Sequence, residues 1–276
     1  MRVVVRRTLT LARGKAAEVE TRDLVVPALE RRIPCRLYGA PDLGPDAPLL
    51  VFAHGGGFFL CDVETHDEMC RLLAREAACR ILSVDYTLAP EADVETQLQE
   101  LVSVFRWAVD NHADLGVDGR RLALGGDSAG GWLAMRAARR LNASATAVVQ
   151  ALLLLYPLTQ TTDADWVRPR IADFRFVGRV ACAVIQTVLK TPTASLFDEP
   201  PGPPLPVIIV TGRMDPTTGD ARRLADALSA QGAAVELQAH RFLPHGSLNL
   251  TAIAPFAARA VEQAGRSLAR LWSPAP

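Results

Sequence analysis

Apolar residues in this chain alternate between two spacings. "PLLVFAHGGG" runs almost unbroken into a glycine cluster, the pattern of a strand buried on both faces. "RILSVDY", "RLALG", "AVVQALLLLYP" and "LPVIIVTG" repeat it, and "AVELQAH" ends the series with alternating character. Between these runs the spacing turns helical. From His66 to Ala78 the positions Met69, Leu72, Leu73 and Glu76 recur at helical intervals, and further helices are expected at about Val94–Val109, Ala129–Leu141, Asp220–Gln231 and Pro255–Leu271. Ahead of them, "DLVVP" and "IPCRLYG" read as an opening hairpin. Strands alternating with helices predict an α/β fold, with a mostly parallel sheet covered by helices on both faces.

Two segments break the repeat. Residues 1–21 precede the first strand with weak helical character, and Thr159–Pro206 is a long mixed stretch ending in "DEPPGPPLP". A connection of that length carries structure of its own and often acts as a lid. The expected layout is one domain over 1–276, with 1–21 and about 159–206 as cap or lid segments.

Composition narrows the function classes. Hydrophobic residues make up 49% of 276 and charged residues 22%, enough apolar material for a substantial core. Thirty basic and thirty acidic residues cancel, so no overall field favours nucleic acid or an anionic membrane. The opening "MRVVVRRTLTLARGK" breaks its apolar run at Arg6 and Arg7, unlike a secretory signal. No stretch reaches the roughly 18 apolar residues of a membrane span. Cys35, Cys61, Cys70, Cys79 and Cys182 form no CxxC pair and no metal-like spacing. Reduced, mostly buried thiols, no metal site and a cytoplasmic location are expected.

The chemistry centres on "LALGGDSAGGW". Gly126-Asp127-Ser128-Ala129-Gly130 fits G-x-S-x-G, after an apolar strand and before a helix. That is the context of a nucleophile elbow, a tight turn that exposes a serine hydroxyl. The competing reading is a glycine-rich turn whose serine caps the helix. A serine needs a base, a group to orient the base, and donors for the oxyanion. Of His54, His66, His112, His240 and His245, only the last two follow the serine. His245, in the loop "FLPHGSLN" beyond the last strand, is the expected base, with His240 the alternative. Asp215, just past "LPVIIVTG", is the expected acid, whereas Asp220 is expected to cap the helix that it begins. "HGGGF" at His54–Phe58 ends a core strand where backbone N–H groups of Gly56 and Gly57 could join that of Ala129 around a carbonyl oxygen. A phosphate-binding loop is the rival, but neither GK[ST] nor GxGxxG is present.

"HGGGF", "DYTLAPE" and "GDSAGG", in that order, with Asp215-Pro and His245-Gly downstream, resemble the bacterial hormone-sensitive-lipase-like esterases of the α/β-hydrolase fold. The likeness covers roughly residues 22–270. It implies hydrolysis of small acyl esters of short to medium chain by an acyl-enzyme route, without a cofactor. By it, Ser128, Asp215 and His245 form the triad, Gly56, Gly57 and Ala129 the oxyanion hole, and Asp85 and Glu91 structural supports. It leaves a homodimer open. Amide, carbamate or lactone cleavage would use the same parts, and a non-catalytic binding member of the fold is a further alternative. The chain departs from the family in its short N-terminal segment, in "ADVETQLQE" after "LAPE", in Ser247 after the His-Gly pair, and in an abbreviated middle segment. These departures imply a reduced cap.

Overall fold

The central element is a strand with no exposed residue. β3 (Ala47–Ala53) is buried along its whole length because parallel neighbours flank it and helices cover both faces. The computed structural model describes residues 18–40, 42–144, 149–161, 172–190, 193–198 and 202–273, with 172–179 described by backbone alone. The other strands are β1 (Glu20–Ala28), β2 (Arg31–Gly39), β4 (Arg80–Val84), β5 (Val117–Asp127), β6 (Ala151–Leu155), β7 (Val207–Gly212) and β8 (Val235–His240). Their order in the sheet is β1-β2-β4-β3-β5-β6-β7-β8. Only β2 runs against the rest, pairing antiparallel with both β1 and β4.

The opening hairpin forms as expected, with Ala28 opposite Arg31 and a two-residue turn at Leu29 and Glu30. Both turn residues take positive φ, 53° and 58°, the mirror-image geometry that matches strand twist. The helices are α1 (Asp67–Ala77), α2 (Val94–Asp110), α3 (His112–Leu115), α4 (Ala129–Ser144), α5 (Ala172–Leu189), α6 (Thr218–Ala230) and α7 (Pro255–Trp272). Two apolar cores result, one on each face of the sheet. Phe105, Trp132 and Leu133 pack on one, and Met69, Leu73, Val261 and Leu268 on the other. Gly265 lets α7 approach α1 closely, since a Cβ there would collide with Glu76.

Several boundaries differ from the sequence reading. β5 begins at Val117, because the polar "VDGRR" is extended as well as the apolar run that follows. β6 is shorter than "AVVQALLLLYP", and residues 147–148 of that run lie outside the described residues. α6 starts at Thr218 with Thr217 as N-cap, so Asp220 does not cap it. Instead Asp220 is buried within the helix and accepts a hydrogen bond from Thr159 Oγ1 at 2.8 Å. The stretch Thr159–Pro206 contains α5. Residues 1–17, 162–171, 191–192 and 199–201 of the expected cap segments lie outside the described residues. Among the described residues no helix is long and apolar enough to cross a membrane, none of the five cysteines is in a disulfide, and no cluster of three metal-ligating side chains occurs.

Candidate active site

β5 ends at Asp127 and α4 begins at Ala129, which leaves one residue to reverse the chain. That residue is Ser128, with φ of 52°, a backbone conformation that side chains other than glycine rarely adopt. The turn is held by Ser128 N–H donating to Leu155 C=O and Leu158 N–H donating to Ser128 C=O, both at 2.9 Å. Its glycines are needed for close approach. A Cβ on Gly126 would strike Gly130, and one on Gly130 would strike the carbonyls of Ala53 and His54.

Two further loops converge on this serine. Beyond β7, Asp215 is buried, and its Oδ1 accepts from both the N–H and the Oγ1 of Thr217, each at 2.8 Å. Beyond β8, a turn through Gly246 (φ 72°) presents His245. Its Nδ1 lies 2.9 Å from Asp215 Oδ2, and its Nε2 lies 2.8 Å from Ser128 Oγ. A continuous hydrogen-bonded chain thus joins Ser128, His245 and Asp215 across three separate loops. Burial pulls the His245 ring toward its neutral form, but the charge and hydrogen bond of Asp215 outweigh it and hold the ring above its ordinary 6.5. Tyr156 leans on the ring at 4.8 Å between centroids, and its hydroxyl accepts the Leu248 N–H at 3.3 Å. Ser247, where the family resemblance leads one to expect an aromatic, turns its hydroxyl onto Pro244 C=O at 2.6 Å and closes the histidine loop.

The glycine loop after β3 forms the facing wall. Its carbonyls are occupied: Tyr86 OH donates to His54 C=O at 2.7 Å, His54 Nδ1 to Gly55 C=O at 2.8 Å, and Leu60 N–H to Gly56 C=O at 2.9 Å. Phe58 C=O accepts from Gln97 Nε2 and Ala89 N–H, both at 2.9 Å. Gly56 and Gly57 take positive φ, 116° and 62°. Among the described residues, the N–H groups of Gly56, Gly57 and Ala129 donate to no protein acceptor. The loop therefore keeps these donors fixed and available.

The other histidines have separate places. His54 stacks on Tyr86 at 4.3 Å, and burial lowers its pKa to about 4, so it stays neutral. His66 faces Asp127, and His112 Nδ1 lies 3.0 Å from Val109 C=O. His240 sits at the end of β8, where it makes no hydrogen bond to Ser128 or Asp215. Asp85 lies 3.9 Å from the His54 ring, and it shares a cleft with Cys61, Tyr86 and Glu91.

Sequence reasoning missed five supports: Thr217 behind the acid, Asp127 and His66 beneath the elbow, and Gln97 with Glu100 on α2. Glu100 is buried and accepts from Thr87 N–H at 2.7 Å, Thr87 Oγ1 at 2.9 Å and Arg31 at 2.8 Å. The signal existed. Gln97, Glu100 and Asp127 are polar residues at positions whose apolar neighbours mark them as buried, and such groups require partners.

Comparison with known proteins bears on the fold and the family. A family model described as the α/β hydrolase fold matches residues 50–249. Carboxylic ester hydrolase LipN of Mycobacterium tuberculosis is 35% identical over 262 residues, covering 86% of this chain and 66% of LipN, so the chain spans just under two thirds of that protein. Carboxylesterase NlhH of the same organism is 32% identical over 284 residues, covering 95% of this chain and 88% of NlhH. Among solved structures, an esterase of Pyrobaculum calidifontis superposes with a TM-score of 0.88 at 26% identity, covering 98% of this chain and 92% of that one. Matches of that extent, on the sheet order and turn geometry above, place the chain in the α/β-hydrolase family, among its hormone-sensitive-lipase-like esterases.

Proposed function

We propose that the protein is a serine carboxylesterase that hydrolyses small esters of short to medium acyl chain through an acyl-enzyme. The observation that carries this reading is the Ser128–His245–Asp215 chain set opposite three unengaged backbone N–H groups. Ser128 is the nucleophile. As its Oγ attacks the ester carbonyl, its proton passes to His245 Nε2, and the Asp215 carboxylate steadies the imidazolium. The carbonyl oxygen becomes an oxyanion and accepts from the N–H groups of Gly56, Gly57 and Ala129, with Ala129 at the start of α4, where the helix dipole favours negative charge.

Collapse of that intermediate expels the alcohol, which takes the proton from His245. Water then gives a proton to His245 and attacks the acyl group, and Ser128 leaves with that proton as the carboxylic acid is released. No cofactor is required. The reading extends to a cytoplasmic protein, supported by five cysteines outside any disulfide. It also extends to a reduced cap that leaves the site open, supported by the abbreviated segment between β6 and β7.

The test is hydrolysis of p-nitrophenyl esters from acetate to palmitate by wild type and Ser128→Ala. The expected result is rapid cleavage of the shorter chains and a loss of about 10⁶-fold in kcat in the variant, the scale seen when a nucleophilic serine is removed. Comparable turnover by both proteins would refute the assignment.

A further inference from the structure

The residue immediately before the nucleophile is an aspartate with almost no exposed surface, and the mechanism above does not use it. The side chain of Asp127 is 3% exposed. It crosses from the end of β5 to the end of β3, where its Oδ1 accepts the Gly55 N–H at 2.7 Å. The two segments meet so closely that a Cβ on Gly55 would strike this carboxylate. On its other side stands the fully buried ring of His66, from the residue before α1, with Nε2 3.0 Å from the same Oδ1 but out of line for a hydrogen bond. His66 Nδ1 lies 3.1 Å from Thr65 Oγ1, which already donates to Asp62 C=O. The ring is therefore fixed at both nitrogens by short polar contacts.

We infer that Asp127 is a positioning residue: with His66 as its counter-group, it clasps the oxyanion loop to the nucleophile elbow, so that the Gly56 and Gly57 N–H groups face the carbonyl oxygen of the ester that Ser128 attacks. The inference rests on the esterase reading for its catalytic consequence, but the clasp itself is a matter of backbone geometry. Three observations support it. Gly55 is the residue directly before the two donor glycines, so fixing its N–H fixes the peptide plane from which they start. The clasp is the one side-chain hydrogen bond, among the described residues, that joins Asp127 to the loop at Gly55–Gly57. The Asp127 carboxyl is also held below the ordinary carboxylate range. Burial pushes it up, but the neighbouring His66 ring and the Gly55 N–H pull it further down, so it meets that N–H as an acceptor. An ionised carboxylate has no proton to offer and binds such a donor strongly.

The test compares wild type, Asp127→Ala, Asp127→Asn and Gly55→Ala by kcat and KM on p-nitrophenyl butyrate, and by hydrogen exchange of the peptide 54–61. Asparagine still offers an oxygen to the Gly55 N–H; alanine does not. Asp127→Ala is expected to lose about 10²-fold in kcat with KM changed by less than about threefold, the scale of one misplaced oxyanion donor. The same variant should exchange faster across 54–61. Asp127→Asn should recover most of both. Gly55→Ala keeps the Asp127 side chain but breaks the clasp from the other side, because its Cβ would strike that carboxylate, so it decides the matter if Asp127→Ala does not fold. Wild-type kcat and wild-type exchange in Asp127→Ala or Gly55→Ala would overturn the inference, as would an asparagine variant no better than alanine. If wild type cleaves no ester, the esterase reading fails, while the exchange comparison still decides whether the clasp exists.

Discussion

At the scale of single residues, the site depends on which hydrogen points where. Thr217 gives two hydrogens to Asp215 Oδ1, so Nδ1–H of His245 lies nearer to Oδ2, at 2.9 Å against 3.1 Å to Oδ1. That fixes the ring with its Nε2 lone pair toward Ser128 Oγ. In Asp215→Asn, the same two donors would hold the amide oxygen and turn the NH2 group toward Nδ1. The ring would then carry its hydrogen on Nε2, where it cannot accept the serine proton. The expected cost is about 10⁴-fold in kcat/KM, with the protein still folded. The pH profile has a definite sign. His245 must be neutral to act as base, and Asp215 holds it above 6.5, so kcat/KM should rise with pH through a midpoint above 6.5. Asp215→Asn should move that midpoint down. A flat profile between pH 5 and 9, measured with an ester whose own hydrolysis is subtracted, would rule out this base.

At the scale of elements, the strands and helices present the loops rather than act themselves. α2 shows how. Asp93 caps it by accepting Thr96 N–H at 2.7 Å, and two turns of its buried face then place Gln97 under the oxyanion loop and Glu100 under Thr87. Asp93 is exposed and makes no contact with the site, so Asp93→Ala should lower stability by about 1 kcal/mol and leave kcat unchanged. Urea unfolding at constant m-value would show it; an unshifted midpoint would mean that the cap contributes nothing. Elements of this kind were legible in the sequence where one force dominated. β3 and β7 read as strands because both faces are buried, and α4 began where the glycine-serine turn ended. Boundaries were lost where polar residues take regular structure, as in the extended "VDGRR" of β5. Asp220 was misread because an aspartate near a helix start usually caps it, whereas here the N-cap position falls on Thr217, whose hydroxyl donates to Asp215, and Asp220 serves Thr159.

At the scale of the molecule, a parallel sheet gathers its chemistry at one edge. Ser128 follows β5, the oxyanion loop follows β3, Asp215 follows β7 and His245 follows β8, so all four arrive at the carboxyl ends of neighbouring strands, where such sheets bind ligands. The order of the parts along the chain and their place after strands were readable from motifs alone. Their supports were not, because Asp127 with Gly55 and Asp220 with Thr159 are partners far apart in sequence, and only the fold pairs them. The sheet order was equally invisible in a pattern of apolar runs, and the opening hairpin announced antiparallel pairing without showing that β2 alone runs against the rest. The account as a whole requires one activated serine among all the hydroxyls of the chain. The most direct measurement is labelling with a fluorophosphonate, followed by peptide mapping of the adduct. The account predicts one phosphonate per chain, on Ser128, formed in step with loss of esterase activity and absent in Ser128→Ala. A label on another residue, or an unlabelled protein that still hydrolyses esters, would contradict it.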